Sequence, residues 1–190
     1  MLTKRFEQAL IFAAQLHRQQ RRRGSDVPYV SHLLIVAGLV IEHGGDEDEA
    51  IAALLHDAIE DQGGPVTRHE ILQRFGGRVT TIVDGCTDTD VDPKPPWQER
   101  KRNYVNNLKT ASNSVLLVVA ADKLHNVSAV LRDYHHIHDQ IWQRFHGGKA
   151  GTLWYYRAVT DVLKDVANRP LVEELDRVVT TLEEVVDTDS

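Results

Sequence analysis

Apolar side chains recur at helical spacing along almost the whole chain, and this periodicity constrains the fold more than any other feature. One stripe runs along the first predicted helix: Leu2, Phe6, Ala9, Leu10, Ala13 and Leu16. A second, strongly apolar run follows Ser112, and its polar continuation at Asp122, Asn126 and Arg132 keeps the helical spacing. A strand would not keep a period of 3.6 residues, so the pattern predicts an all-α fold.

Turn and capping residues divide the chain into predicted helices. Asp46 is the predicted N-cap of a helix that runs to about Asp61, and Thr67 with Glu70 three residues later forms a predicted capping box. Residues 78–88 fit a helix or a strand on pattern alone, and their helical neighbours favour a helix. The predicted helices cover about 2–20, 31–43, 47–61, 67–76, 78–88, 97–108, 113–132, 138–145, 151–168 and 170–187.

The segment from Asp88 to Pro96 contains three prolines and three aspartates, which predicts a mobile surface loop. No internal repeat, low-complexity tract or long linker divides the chain. We therefore expect residues 1–190 to form one domain, a single helical bundle of about eight to ten helices.

Composition excludes several classes of protein. Hydrophobic residues make up 42% of the chain and charged residues 26%, as in an ordinary soluble protein. No uninterrupted apolar run approaches the roughly 20 residues that span a bilayer, and the N-terminus lacks a secretory signal, so we expect no membrane association and a cytoplasmic location. Cys86 is the single cysteine, which excludes a disulfide within the chain and a thiolate metal cluster.

The charge pattern favours a small polyanionic ligand over nucleic acid. The net charge of −6 argues against nucleic acid or an anionic membrane as the main partner. Basic residues nevertheless cluster at 21–23 and at 100–102. Two such clusters on an acidic protein suit a focused anion site, although two solvated surface stretches would look the same from charge alone. The oligomeric state stays open.

The segment His56-Asp57-Ala58-Ile59-Glu60-Asp61 is the most informative in the chain. On a continuous helix His56 would lie over Glu60, and Asp57 over Asp61, one turn apart. A neighbouring His and Asp supply one nitrogen and one oxygen ligand to a divalent cation, and the two acids would lie where the proton of an attacking water is handled. The alternative is a solvated helix end, although acids there oppose the helix dipole.

Two further residues complete a set of metal ligands. His32 follows the turn at Pro28 and Tyr29, where a histidine is also a common cap or surface residue. Asp122 follows seven apolar residues that carry it toward the interior, and a buried carboxylate needs a metal or a partner. Two histidines and two aspartates form a mixed nitrogen and oxygen set that suits Mn²⁺, Fe²⁺, Zn²⁺ or Mg²⁺, and the two nitrogens disfavour Mg²⁺.

These motifs together resemble the HD superfamily, and within it the hydrolase domain of RelA/SpoT-type alarmone enzymes, especially the stand-alone small alarmone hydrolases of the animal SpoT-homologue type. The matching stretches follow the order of the family from the first helix to beyond the middle of the chain. They are residues 13–23, Pro-Tyr-Val-Ser-His at 28–32, His-Asp-Ala-Ile-Glu-Asp at 56–61 and Ala-Asp-Lys-Leu-His-Asn at 121–126. Leu33 stands where the family most often has proline.

The resemblance implies a helical HD domain that hydrolyses the 3′-pyrophosphate of guanosine 3′,5′-bis(diphosphate) or a relative, usually with Mn²⁺. It implies metal ligation by His32, His56, Asp57 and Asp122. It implies that Glu60 and Asp61 position and deprotonate the attacking water. The implied nucleotide and phosphate contacts are Arg22, Arg23, Arg100, Lys101, Lys123, Asn126, Lys149 and Tyr155.

Other functions stay open at this point. The same constellation suits an HD phosphohydrolase of a nucleoside monophosphate or of the phosphate of NADPH, and a non-catalytic nucleotide sensor could keep the fold. The resemblance does not decide between guanine and adenine alarmones or the number of 5′ phosphates. The histidines at 135, 136 and 138 match nothing in the family; surface residues are the preferred interpretation and adventitious metal binding is the alternative.

Overall fold

The computed structural model describes residues 1–91, 93–166 and 169–188, and this part of the chain folds as helices, which confirms the predicted all-α class. The α-helices are α1 Lys4–Leu16, α2 Val30–Glu42, α3 Glu47–Leu55, α4 Ala58–Asp61, α5 Pro65–Phe75, α6 Gly77–Cys86, α7 Trp97–Leu108, α8 Asn113–Ile137, α9 Gly148–Val166 and α10 Arg169–Thr188. A 3₁₀ helix, His138–Arg144, separates α8 from α9. The predicted bounds of α7 are confirmed.

Helix α8 forms the centre of the core. The side chain of Ser112 caps it, as predicted, by accepting a hydrogen bond from the backbone N–H of Val115. Helices α2, α3, α6, α9 and α10 all pack against it. The residues from Val115 to Ala121 are buried, and the helix therefore carries the next residue, Asp122, into the interior.

The helical stretch Asn113–Arg144 is long and apolar enough to cross a membrane by length and composition, with a mean hydropathy of 1.4 over its most apolar window. However, 61% of that window is buried inside the molecule. Central helices of water-soluble folds share this property, so the stretch gives only weak support for a membrane span.

The prediction of one helix through to Asp61 is wrong. Helix α3 ends at Leu55, and His56 and Asp57 form the turn before the short helix α4. The backbone of Asp57 lies at φ −98° and ψ −1°, outside regular helical geometry. The N–H of Asp61 donates to the carbonyl of Asp57 at 3.0 Å, which is the first hydrogen bond of α4. The break gives His56 and Asp57 directions that a continuous helix would not.

Several other helix bounds differ from prediction: α8 continues to Ile137 rather than ending at residue 132, and α9 begins at Gly148 rather than at residue 151. Helix α5 begins at Pro65 after Gly64, which adopts φ +56°, so the predicted capping box at Thr67 is wrong. The Thr67 hydroxyl instead donates to the carbonyl of Gln62. Helix α1 ends at Leu16 rather than at residue 20, because the chain then turns into the connection to α2.

The connection between α1 and α2 is a short, hydrogen-bonded clasp, residues 20–29. The N–H of Tyr29 donates to the carbonyl of Gln20 at 3.0 Å, and the N–H of Arg22 donates to the carbonyl of Val27 at 2.8 Å. In between, Arg21 and Pro28 form an isolated antiparallel bridge. Residues two apart on an extended segment share a face, so Gln20 and Arg22 lie on the same side of the clasp.

Candidate active site

Four side chains from three parts of the fold converge on one point. His32 lies in the first turn of α2, His56 and Asp57 lie between α3 and α4, and Asp122 lies on α8. The Nε2 atoms of His32 and His56 are 3.2 Å apart, and the Oδ2 atom of Asp57 is 3.5 Å from the first and 3.0 Å from the second. The Oδ1 atom of Asp122 lies 3.3 Å and 3.6 Å from the same two nitrogens.

This spacing fits a divalent cation. Ligand atoms at the usual metal distance of about 2.0–2.2 Å lie roughly 3.0–3.5 Å from one another in tetrahedral or octahedral arrangements. Within the described ranges, His32, His56 and Asp57 form the one group of three whose ligand atoms all lie within 4.8 Å of each other. Asp122 falls outside that strict grouping, and its short distances to both histidines bring it to the same point.

Hydrogen bonds set the two histidines for ligation through Nε2. The Nδ1 atom of His56 lies 2.8 Å from the carbonyl of Ala53, which can only accept, so Nδ1 carries a proton and Nε2 is the nitrogen left to bind a cation once it gives up its own proton. The Nδ1 atom of His32 lies 2.6 Å from Nδ1 of His125. His32 and His56 are 0% and 2% exposed, so protein contacts rather than water determine which nitrogen is available.

Electrostatics favour two ionised carboxylates at this point. Burial opposes the charge of Asp57, but His56 and the hydrogen bonds from both histidines hold its pKa well below the usual value. Burial likewise opposes the charge of Asp122, and Lys123 with the same histidines holds that pKa well below the usual value. The converse holds for His56, whose pKa is raised well above the usual value by the two aspartates despite burial. The site therefore attracts positive charge.

Tyr29 supports the site and was not predicted to do so. Its hydroxyl donates to the Oδ2 atom of Asp57 at 2.5 Å, a charge-assisted hydrogen bond. Burial and Asp57 raise the pKa of Tyr29 far above the usual value, so the hydroxyl keeps its proton and acts as the donor. Its ring lies edge-on to His32 at 5.4 Å between centroids. Tyr29 belongs to the Pro-Tyr-x-x-His segment, but sequence alone does not show that its hydroxyl reaches Asp57.

The two acids after the His-Asp pair lie in different surroundings. Glu60 accepts from Nζ of Lys94 at 2.9 Å, and the N–H of Asp88 lies 3.4 Å from its other oxygen. Asp61 accepts from the side-chain amide of Gln20 at 2.8 Å. Burial and the charge of Asp57 raise the pKa of Asp61 to about 6, which suits a group that takes up a proton near neutral pH.

A chain of contacts leads from Asp122 to the basic residues of the clasp. The amide of Asn126 donates to Asp122 at 2.5 Å and accepts from the guanidinium of Arg22 at 2.7 Å. The Arg22 guanidinium also lies 5.6 Å from the centre of the Tyr29 ring. The structure thus brings Arg22 and Asn126 to the site, and their contact with a nucleotide stays a prediction.

Lysines and tyrosines form the opposite side of the site. Lys123 binds Asp122 at 2.5 Å, and its Nζ lies 5.6 Å from the centre of the Tyr155 ring. The Nζ of Lys101 lies 4.7 Å from the same ring centre. Tyr104, which is buried beneath both lysines, was not predicted to take part. The structure therefore brings Lys101, Lys123 and Tyr155 together.

Asp88 connects this lysine and tyrosine cluster to Glu60. Its side chain is only 4% exposed, and it pairs with Arg100 and, at 2.8 Å, with Lys101. Arg100 also lies 3.9 Å from Glu60. The prediction of a surface loop starting at Asp88 is therefore wrong at that residue, because the carboxylate is drawn inward by two cations. Asp92 of the same predicted loop lies outside the described residues.

Two predicted substrate contacts bond elsewhere. The guanidinium of Arg23 donates to the backbone carbonyl of Arg144 at 3.1 Å, and Lys149 pairs with Asp139 at 3.5 Å. Neither of these two contacts reaches the candidate metal-binding group of His32, His56, Asp57 and Asp122. His135 and His136 are exposed on the last turns of α8, and in the described part of the chain they belong to no group of three that could hold a metal.

Comparison with known proteins identifies the family of this chain. The HD domain family matches residues 9–153, three quarters of the chain, and the chain belongs to that family. A guanosine-3′,5′-bis(diphosphate) 3′-pyrophosphohydrolase MESH1 of Xenopus tropicalis is 41% identical over 128 residues, which cover 66% of this chain and 69% of the relative. The human MESH1 is 35% identical over 173 residues, which cover 88% of this chain and 89% of the relative.

A solved structure gives the same result for the fold. The chain superposes on a structure described as a metazoan ortholog of SpoT that hydrolyses ppGpp, with a TM-score of 0.77 and 29% identity. The match covers 95% of this chain and 97% of the other. The predicted resemblance to the HD superfamily and its RelA/SpoT-type hydrolases is thereby confirmed.

Proposed function

We propose that this protein is a metal-dependent hydrolase that removes the 3′-pyrophosphate of guanosine 3′,5′-bis(diphosphate) or a close relative. One arrangement carries the proposal. A set of nitrogen and oxygen atoms suited to bind a metal lies near Asp61, an acid with a raised pKa, and near several cationic side chains. The named activities of the relatives support the substrate class.

The proposed metal ligands are His32, His56, Asp57 and Asp122, with Mn²⁺ as the preferred ion. When bound, a divalent cation would supply a Lewis acid that polarises a phosphoryl oxygen and makes water easier to deprotonate. The two imidazole ligands favour a transition metal over Mg²⁺. The buried position of both histidines excludes bulk water from one side of the site.

In the proposed reaction Asp61 accepts the proton of the attacking water, and Glu60 orients that water. The oxygen of water forms a bond to the phosphorus attached to O3′, and the bond between that phosphorus and O3′ breaks. Pyrophosphate leaves, and the 3′ oxygen takes up a proton to become a hydroxyl. Asp61 suits the role of base because the neighbouring Asp57 and burial keep its affinity for a proton high.

The proposed substrate contacts neutralise a nucleotide that carries two diphosphate groups. Arg22 presents a planar guanidinium that can stack on the purine, with Asn126 holding it in place. Lys123, Lys101 and Arg100 extend positive charge away from the ligand set toward Glu60. The ring of Tyr155 lies close to both lysines. Arg23 and Lys149 remain proposed contacts that would need to exchange their present partners.

The test is product release from a panel of purine nucleotides with 3′-pyrophosphate, guanine and adenine forms alike, with and without Mn²⁺. The proposal predicts metal-dependent release of pyrophosphate and a free 3′ hydroxyl. Release of orthophosphate from a nucleoside monophosphate or NADPH, with no pyrophosphate from the panel, would establish the rival phosphatase. Binding without turnover at every metal tested would establish a nucleotide sensor. We further propose one domain over residues 1–190 and a cytoplasmic location.

A further inference from the structure

Gln20 lies next to Asp61. Gln20 and Arg22 lie on the same side of the clasp. Its backbone carbonyl accepts from the N–H of Tyr29 at 3.0 Å, which fixes the start of the side chain. Its side-chain Nε2 donates to the Oδ2 atom of Asp61 at 2.8 Å. The hydrogen bond therefore connects two parts of the chain 41 residues apart.

The amide of Gln20 is held in one orientation. Its oxygen, Oε1, accepts from the amide of Gln62 at 2.6 Å and lies 2.6 Å from Nδ1 of His17. Burial lowers the pKa of His17, so its ring is neutral and its Nδ1 proton points at Oε1. A flipped amide would set NH₂ against two donors and an oxygen against Asp61. Three hydrogen bonds would be lost together.

His17 also connects this network to the metal-binding group. Its ring is 2% exposed and stacks on the ring of Tyr29, with 5.3 Å between centroids and 18° between planes. The hydroxyl of Tyr29 donates to Asp57. One buried histidine therefore supports both the carboxylate of a proposed metal ligand, through Tyr29, and that of the proposed base, through Gln20.

We propose that Gln20 is a positioning residue that fixes the Asp61 carboxylate to receive the proton of the attacking water. This role rests on the proposed function of the site. Because Gln20 donates to Oδ2, the hydrogen bond restricts the rotation of the carboxylate and leaves Oδ1 as the oxygen available to take the proton. A donor at Oδ2 also favours the ionised carboxylate that a base must be.

Burial and neighbouring charges also act on the pKa of Asp61. Burial has the largest effect and raises the pKa, and the carboxylates of Asp57 and Glu60 raise it further. The hydrogen bond from Gln20 and the charge of Lys94 act in the opposite direction. Loss of the Gln20 donor is therefore expected to leave Asp61 protonated over a wider range of pH.

The decisive comparison is Gln20→Glu against Gln19→Glu. Both variants make the same change in charge and size on neighbouring residues, but Gln19 is exposed and Gln20 faces Asp61. In Gln20→Glu an oxygen replaces the donor, and two carboxylates then face each other. Gln20→Leu removes the donor without adding charge, and serves if thermal unfolding shows that the first variant does not fold.

Two readouts separate this role from a merely structural one. In protein loaded with diamagnetic Zn²⁺, carboxyl NMR titration should show a higher Asp61 pKa for Gln20→Glu than for the wild type and Gln19→Glu. In the turnover assay kcat should fall about 10- to 100-fold with little change in KM, and its acid limb should move to higher pH. Metal content should stay unchanged.

Equal titration curves for the two variants and the wild type would overturn the role of Gln20, whatever the turnover. Equal kcat values in Gln20→Glu and Gln19→Glu would overturn it as well. Absence of pyrophosphate release by the wild type would instead refute the proposed function, and the NMR titration would still decide whether Gln20 controls Asp61.

Discussion

The ring of His125 stacks on the ring of His32, with 4.9 Å between centroids and the two Nδ1 atoms 2.6 Å apart. Burial, with a smaller contribution from His32, lowers the pKa of His125 to about 4, so His125 is neutral near pH 7. A neutral His32 that binds a cation through Nε2 carries its proton on Nδ1. That N–H can donate a hydrogen bond to the lone pair on Nδ1 of His125. His125 lies one turn after Asp122 on α8. The same helix therefore supplies one proposed ligand, Asp122, and the residue that supports a second proposed ligand, His32.

The first prediction concerns this support. His125→Ala should weaken the affinity for Mn²⁺ about 10- to 100-fold, because His32 loses the acceptor that fixes its tautomer and ring orientation. Metal titration by calorimetry measures the change. His136→Ala removes an exposed histidine from the same helix and should leave the affinity as it is. Equal affinities for the two variants would show that His125 does not orient His32.

The second prediction separates a metal ligand from an acid that acts on water. Asp57→Ala should lose both bound metal and turnover, because it removes an oxygen that lies 3.0 Å from Nε2 of His56. Glu60→Gln should keep the metal and lower kcat by about 100-fold or more. Metal analysis of the purified variants, beside the pyrophosphate assay, distinguishes them. Full activity of Asp57→Ala in the presence of a chelator would refute the ligand assignment.

The third prediction concerns pH. Asp61 must be ionised to accept a proton, and its pKa of about 6 means that it becomes protonated as the pH falls through that value. The rate should therefore decline below about pH 6, about tenfold per unit; a bound cation nearby would move this limb to lower pH. Asp61→Asn should be slow and lack the limb. Metal content measured at each pH controls for the release of metal as the histidines protonate.

The fourth prediction concerns the buried carboxylate of Asp88. Asp88→Ala leaves Arg100 and Lys101 without their shared partner, and these side chains are only 12% and 18% exposed. The free energy of unfolding should fall by about 2–3 kcal/mol, measured by urea denaturation. The exposed Asp90 provides the control. Asp90→Ala should change the free energy of unfolding by less than about 0.5 kcal/mol.

Much of the fold could be predicted because helix caps and apolar stripes act over a few residues. Asp46 caps α3 with a capping box to Glu49, and Ser112 caps α8, so local sequence determines both starts. The break at His56 and Asp57 could not be predicted in this way. The sequence there suits a continuous helix, whereas in the fold the pair contacts His32 of α2 and Asp122 of α8, which are distant along the chain.

The candidate site could be predicted where a motif names a residue, and less well where a side chain acts through another. His32, His56, Asp57 and Asp122 converge as the motifs predict. Tyr29 and His125 were within those motifs, but their roles depend on distances across the fold. Gln20 is one of several polar residues after α1, and only the clasp turns its amide toward Asp61. The spacing of residues along a chain does not contain such long-range pairings.

The most direct test of the metal centre is anomalous diffraction at the manganese edge from crystals of the protein grown with Mn²⁺. One peak should lie within bonding distance, about 2.0–2.3 Å, of Nε2 of His32 and His56 and of carboxylate oxygens of Asp57 and Asp122. A manganese peak elsewhere, for example beside the exposed histidines at the end of α8, with none between these four residues, would contradict the assignment.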